Sequence, residues 1–175
     1  MLLKNYYRAL TTFINGTWGD IPYINVNGAT QTNHPGNGDA LRFGYKTQTY
    51  YVPSMHYMVT KYGDYAGVII GTGTTPPTVD DYALSGDMIT TYSHNAPVTR
   101  TDDANGSTFT GVYTITNTGE SEFTIGEIAL MAGMGNGLDK SHKALIERTV
   151  LEHPITIAPG CIGQVTYTIR LNYPV

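Results

Sequence analysis

The chain has 175 residues, 41% of them hydrophobic and only 14% charged, against a globular average of roughly 25% charged; this supplies one core and excludes disorder along the whole chain. Ten Lys and Arg against fourteen Asp and Glu give a formal net charge of -4, so there is no basic field to neutralise phosphates, and nucleic acid is excluded as an expected partner. The single cysteine, Cys161, can form neither an internal disulfide nor an all-cysteine metal site, and no run of about 18 apolar residues offers a membrane span.

Leu2-Leu3 is followed by Lys4, Tyr6 and Arg8, too soon for the apolar core of a signal peptide, and the chain reads as soluble and unprocessed. Leu3, Tyr6, Tyr7, Leu10, Phe13 and Ile14 recur at three- and four-residue steps and predict an amphipathic helix that Asn15-Gly16 stops. Residues 1–16 are thus expected to form a helical arm and residues 17–175 a single β domain. The arm either packs on its own domain or docks on a neighbouring subunit. Beyond it, twenty Gly, nine Pro and fourteen Tyr favour strands joined by tight turns. Asn-Gly pairs at 15–16, 27–28, 37–38, 105–106 and 136–137 supply residues that tolerate positive φ.

Residues 21–26 read as a first extended run, 27–40 as a surface loop, and 41–52 as a strand in which Leu41, Phe43 and Tyr45 alternate with Arg42, Gly44 and Lys46. Ala66-Gly67-Val68-Ile69-Ile70 suits a strand buried on both faces, and Pro76-Pro77 forbids regular pairing after it. Residues 78–84 predict one helical turn, capped by Thr78 with Asp80 and Asp81 near its start. Val112, Thr114 and Thr116 alternate with Gly111, Tyr113 and Ile115; Asn117-Thr118-Gly119-Glu120 turns the chain, and Phe123, Ile125 and Glu127 begin a returning strand, which predicts a hairpin. Further strands are expected at 145–151, 155–157 and 165–171, the last two separated by Ala158-Pro159-Gly160. Seven to nine such strands bury their apolar faces most simply as an all-β, antiparallel β-sandwich of jelly-roll or Ig-like type.

Chemistry is sparse. His34, His56, His94, His142 and His153 show no paired-ligand spacing, so neither a metal nor a cofactor is expected. Setting Gly106 of Asp102-Asp103-Ala104-Asn105-Gly106 at the glycine of a calcium loop places Thr101 and Val112 where carboxylates belong, and a turn is the better reading. Gly71-Thr72-Gly73 lacks the Gly-Lys-Ser/Thr of a phosphate cradle. Cys161 sits in a turn with no neighbouring base. Glu120, Glu122 and Glu127 are the carboxylates a glycoside hydrolase would use, but Glu120 and Glu122 flank the predicted turn and are expected to be solvated. No catalytic residue is assigned. Tyr45, Tyr50, Tyr51, Tyr57, Tyr62 and Tyr65 crowd a short span, a density that suits a protein interface more than a sugar platform.

Three stretches together carry a resemblance: residues 67–84, from Gly67-Val68-Ile69-Ile70-Gly71-Thr72-Gly73 to Asp80-Asp81-Tyr82-Ala83-Leu84; the pair Tyr113-Thr114-Ile115-Thr116-Asn117-Thr118-Gly119-Glu120 and Ile125-Gly126-Glu127-Ile128-Ala129-Leu130; and Leu145-Ile146-Glu147-Arg148-Thr149-Val150-Leu151 with the segments near 154–160 and 165–170. In order and spacing, over roughly residues 66–171, they resemble structural proteins of tailed bacteriophages. The resemblance implies a β-sandwich virion component without catalytic residues, assembled in the bacterial host cytoplasm as a capsid decoration, head-fibre, collar or tail protein. Its expected partners are other virion proteins and further copies of itself in a symmetric homo-oligomer, with no nucleic acid and no membrane. The expected interface lies on the N-terminal helix and the final strand, at Leu3, Tyr6, Tyr7, Leu10, Tyr167 and Arg170. The alternative is a receptor-binding adhesin that grips host-surface glycan with loops at 27–40, 95–106 and 132–142.

Overall fold

Alternating β-branched and aromatic residues dominate the C-terminal half of the chain, and its long strands form there. A computed structural model describes residues 1, 3–6, 21–33, 58, 67–95, 97–133 and 143–172. The strands are β1 (Ile21–Ile24), β2 (Thr30–Asn33), β3 (Gly67–Gly71), β4 (Tyr92–Asn95), β5 (Val98–Asp103), β6 (Gly106–Asn117), β7 (Phe123–Gly133), β8 (Lys143–Ile157) and β9 (Ile162–Asn172). Residues 4–6 form a short helical turn. The remainder of the predicted helix, with Tyr7 and Leu10, and the predicted strand at 41–52 with its tyrosines lie outside the described residues.

The architecture is all-β, with antiparallel sheets packed on each other as a sandwich. β1 and β2 form a small two-stranded sheet; of the two larger sheets one has the order β3-β7-β8 and the other is built on β6, which pairs β4 and β5 along one edge and β9 along the other. Between them lies the main core, formed by Val68, Ile70 and Ile128 from the first sheet and Tyr113, Ile115, Val165 and Tyr167 from the second, closed by Ile89 and Tyr92. A second cluster covers the far face of the three-stranded sheet, where Leu3, Val26, Ile69, Ala129, Met131 and Leu145 pack together with Leu84 and Met88. Because β3 has apolar partners on both faces it is buried throughout, as its continuous Gly-Val-Ile-Ile run predicts.

Four local expectations are corrected. The predicted hairpin across Asn117-Thr118-Gly119-Glu120 does not form: both edges of β6 are occupied, so β7 has no place beside it and joins the other sheet. The chain crosses between sheets at this point, and the Asn117 amide holds the corner by donating to Ser121 O at 2.9 Å and Ile157 O at 2.8 Å and accepting from Gly119 N–H at 2.9 Å. The hairpin that does form joins β5 to β6 through Ala104-Asn105.

The stretch 27–40 is not loop throughout, because Thr30–Asn33 pairs back on β1. Gly28 takes a φ of +79° in that turn, the conformation for which an Asn-Gly pair is suited. The strands expected at 145–151 and 155–157 are one strand, β8, whose partner register along β7 jumps between Ile125 and Glu127; residues 151–154, including Pro154, take up the excess in a bulge. Finally, residues 78–84 make a single turn closed by Asp81 N–H to Thr78 O at 3.2 Å, with no helix. The capping runs opposite to expectation, since the Asp81 carboxylate accepts from the Thr78 N–H at 3.0 Å and hydroxyl at 2.7 Å.

The N-terminal residues belong to this fold. Leu3 N–H donates to Ile146 O at 2.9 Å and Arg148 N–H to Met1 O at 3.2 Å, so the first residues lie along the β8 edge, and Leu3 has no exposed surface. Truncating a fully buried leucine leaves a cavity that its neighbours refill only in part. Leu3→Ala is therefore expected to cost about 2–5 kcal/mol of stability, measured as a lower midpoint in chemical denaturation, whereas substitutions at the exposed Lys4 should leave that midpoint nearly unchanged.

Candidate functional site

The sequence places one carboxylate in the apolar run Ile125-Gly126-Glu127-Ile128-Ala129 and one guanidinium in Leu145-Ile146-Glu147-Arg148. Strict alternation from Ile125 would aim Glu127 into the core between the sheets. The β-bulge at Gly126 prevents this: Ile125 and Ile128 both face that core, and Glu127 turns to the opposite face. Gly126 is required at the bulge because a side chain there would meet Gly73 O at 2.5 Å and Thr72 O at 2.8 Å.

Glu127 has no exposed surface, and its two oxygens accept five hydrogen bonds. Oε1 takes the backbone N–H groups of Gly73 at 3.1 Å and Gly86 at 2.8 Å. Oε2 takes Ser85 N–H at 3.1 Å, Ser85 Oγ at 3.2 Å and Arg148 Nε at 2.6 Å. Arg148, equally buried, uses Nη2 to donate to Thr75 O at 2.6 Å and Nη1 to pair with Asp81. Burial raises the Asp81 carboxyl, but hydrogen bonds from Thr78 and Arg148 outweigh it and hold the group below the ordinary aspartate range. The segment 72–88 is in this way strapped across the outer face of the three-stranded sheet by a single glutamate–arginine pair. Gly71-Thr72-Gly73 thus supplies a backbone donor to an anion after all, but the anion is the chain's own carboxylate.

A second buried carboxylate, Glu147, lies on the other side of β8 and accepts from the Tyr167 hydroxyl, from Thr149 Oγ1 at 2.7 Å and from the Met1 ammonium. Burial raises its carboxyl above the usual range. The contact joins β8 to β9 and so ties the two sheets together.

The expected interface residues separate in the structure. Leu3 and Tyr167 are core residues, at 0% and 2% exposure, so their side chains face their own domain. Tyr6 is half-buried against Ala132, Ala144 and Ile146. Of the four described, Arg170 alone is displayed on the surface, where Nη1 and Nη2 each reach Asp103 at 2.9 Å. Glu120 and Glu122 are exposed, whereas Glu127 is enclosed and saturated with donors, so the three do not form an open acid–base pair. Cys161 is an exposed free thiol. Of the five histidines only His94 and His153 fall among the described residues, and no group of three metal-ligating side chains occurs among those residues. Burial lowers the His94 imidazole pKa.

Besides the Glu147 contacts, the glutamate–arginine pair is the constellation the residue-by-residue reading missed. Its signal was present, as two opposite charges set within two apolar strands, a pattern that means burial with a partner. Family models, curated proteins and solved structures were compared with the chain, and none matches.

Two measurements test this electrostatic picture. Glu127→Gln places an amide N–H₂ among donors and leaves Arg148 without its counter-ion, so it is expected to cost about 3–5 kcal/mol in denaturant unfolding, the range for breaking a buried pair. Glu127→Gln combined with Arg148→Met is expected to cost less than the sum of the single changes, because no orphan charge remains. On the surface, hydrogen bonds from Arg170 lower the Asp103 carboxyl to about 2. Asp103 is thus ionised down to that pH and loses its hold on Arg170 only as pH falls through it. A carboxyl-carbon NMR titration should show this low value, returning towards about 3.9 in Arg170→Gln.

Proposed function

We propose that the chain is a non-enzymatic structural subunit of a tailed-phage virion, working through protein–protein contacts. The supporting observation is where the resembling segments meet. Stretches distant in sequence, residues 67–84, 125–130 and 145–151, converge on one buried node: Gly73, Thr75 and Asp81 come from the first, Glu127 from the second and Arg148 from the third. The chemistry at their meeting point is structural. The charges satisfy one another and brace a strap, with nothing left open to a substrate.

A braced strap also presents side chains outward. Val79 and Tyr82 are 45% and 42% exposed, and Pro76 lies exposed beside them on a segment that cannot enter a sheet. Rigidly held apolar and aromatic groups at a polar surface suit a contact that a lattice or ring repeats by symmetry, where modest affinity per copy is multiplied.

The test is reconstitution. Purified chain is added to tailed-phage particles stripped of accessory proteins, and the mixture is imaged. Ordered density at capsid lattice positions, at one vertex or along the tail is the expected result. A chain that ignores such particles yet binds defined glycans on an array would replace this reading with the adhesin.

A further inference from the structure

The edges of the two sheets are finished differently. In the three-stranded sheet the chain covers both: Met58 bridges to Val68 and Met88 to Gly71 beside β3, while Leu3 and Met1 bond to β8 at Ile146 and Arg148. In the four-stranded sheet one edge is shared by the four-residue β4 and by β5, six residues that carry Arg100, Asp102 and Asp103. Charges at this density blunt a strand against further pairing. The other edge is β9, which has neither feature. It runs eleven residues with no proline and no lysine, its register with β6 is unbroken from Asn172 to Ile162, and its single charge is Arg170. Among the described residues no strand pairs with its outer side.

The hydrogen-bond parity shows which groups that side offers. Asn117 exchanges backbone bonds with the turn leading into β9, giving its N–H to Cys161 O and taking that of Gly160, each at 3.0 Å. Val112 and Thr118 instead donate away from β9, to Pro97 O at 3.0 Å and Thr91 O at 3.1 Å. Odd-numbered residues of β6 therefore face β9, and through the register Ile115 to Gly163, Tyr113 to Val165 and Gly111 to Tyr167, odd-numbered residues of β9 return those bonds. The N–H and C=O groups of Ile162, Gln164, Thr166, Thr168 and Arg170 are directed outward. A row of alternating donors and acceptors at strand spacing is satisfied by one kind of partner, an extended polypeptide.

We propose that this partner is β9 of a second copy of the chain, paired antiparallel about a two-fold axis centred on Tyr167. Full overlap of the strand sets Thr166 opposite Thr168, Gln164 opposite Arg170 and Ile162 opposite Asn172 on the outer face, and Val165 opposite Ile169 on the core face. Arg170, the only charge, meets a neutral amide that can accept from it, so the strand is complementary to itself without like charges in apposition. A β9–β9 contact about a two-fold is antiparallel, whereas β5 and β9 both run antiparallel to β6, so a head-to-tail contact between those two edges would be parallel. The pairing would extend two four-stranded sheets into one. It stands independently of the virion reading.

Proline discriminates, because on an edge strand it removes an outward N–H and leaves the inner ladder intact. In sedimentation, the wild-type chain is expected to approach twice the chain mass as concentration rises, and Thr166→Pro with Thr168→Pro is expected to remain at the chain mass with an unchanged far-UV spectrum. A wild-type chain that stays monomeric at high concentration, or a proline variant that still dimerises, would overturn the proposal. Should the proline variant fail to fold, backbone amide exchange in the wild-type protein decides. Protection of Gln164, Thr166 and Thr168 that is lost on dilution supports the dimer. Amides that exchange freely at every concentration, or are protected at every concentration, overturn it.

Discussion

Removing a carboxylate and a guanidinium from water costs several kcal/mol per ion even after relaxation, and Glu127 and Arg148 are both removed from it completely. What offsets that cost is the density of partners: five donors on the carboxylate and three acceptors spread over the guanidinium nitrogens. Every one of those partners, apart from the two ions themselves, is supplied by the segment 72–88. The pair and the strap therefore depend on each other, since the strap has no strand pairing beyond the Met88 bridge and the pair has no other source of hydrogen bonds.

The rest of the layering follows from this dependence. The bulge at Gly126 delivers Glu127 to the outer face, and the compensating excess at residues 151–154 restores the register that places Ile125 and Ile128 in the main core. Once the strap is fixed, Leu84 and Met88 complete the apolar cover over Ile69, Ala129 and Met131, and Val79 O receives the N–H of Lys4, which fastens the N-terminal residues over the same face. A sheet with a charged pair in its outer surface thus acquires a second, apolar cover. Removal of either ion would be felt as far away as Leu3.

Much of this was legible in the sequence, and what was not has identifiable reasons. The strands at 67–70, 111–116 and 165–171 followed from continuous or alternating apolar patterns, and the Pro159-Gly160 turn from its residues, with Gly160 at a φ of +70°. Alternation reports which face a residue takes; it does not report which strand lies alongside. Asn117-Thr118-Gly119-Glu120 has the composition of a hairpin turn, and the outcome was decided at a distance, by β4 and β9 occupying both edges of β6 beside it. Leu3 and Tyr167 show the same limit. As apolar residues on an amphipathic face they fit an interface or a core equally well, and burial, which separates the two, is a tertiary property. Glu127 was readable as a charge in an apolar run, but its destination depended on a bulge that alternation alone does not encode.

The two sheets end up with opposite characters. The three-stranded sheet is enclosed: its inner face meets the main core, its outer face lies under the strap and Leu3, and its edges are bridged by Met58, Met88, Met1 and Leu3. Among the described residues, the four-stranded sheet is enclosed on one face only. Its other face carries Thr99, Thr101, Thr108, Thr110, Thr114, Thr116, Thr166 and Thr168, side chains whose methyl groups suit a pleated surface and whose hydroxyls remain content in water. Such a face needs no cover to be stable. Among the described residues the extra segments lie on the sheet whose buried ions require them and none covers the threonine face, so the two sheets differ: one is satisfied by its own chain, the other is exposed along its face and along a β9 edge whose single charge is Arg170.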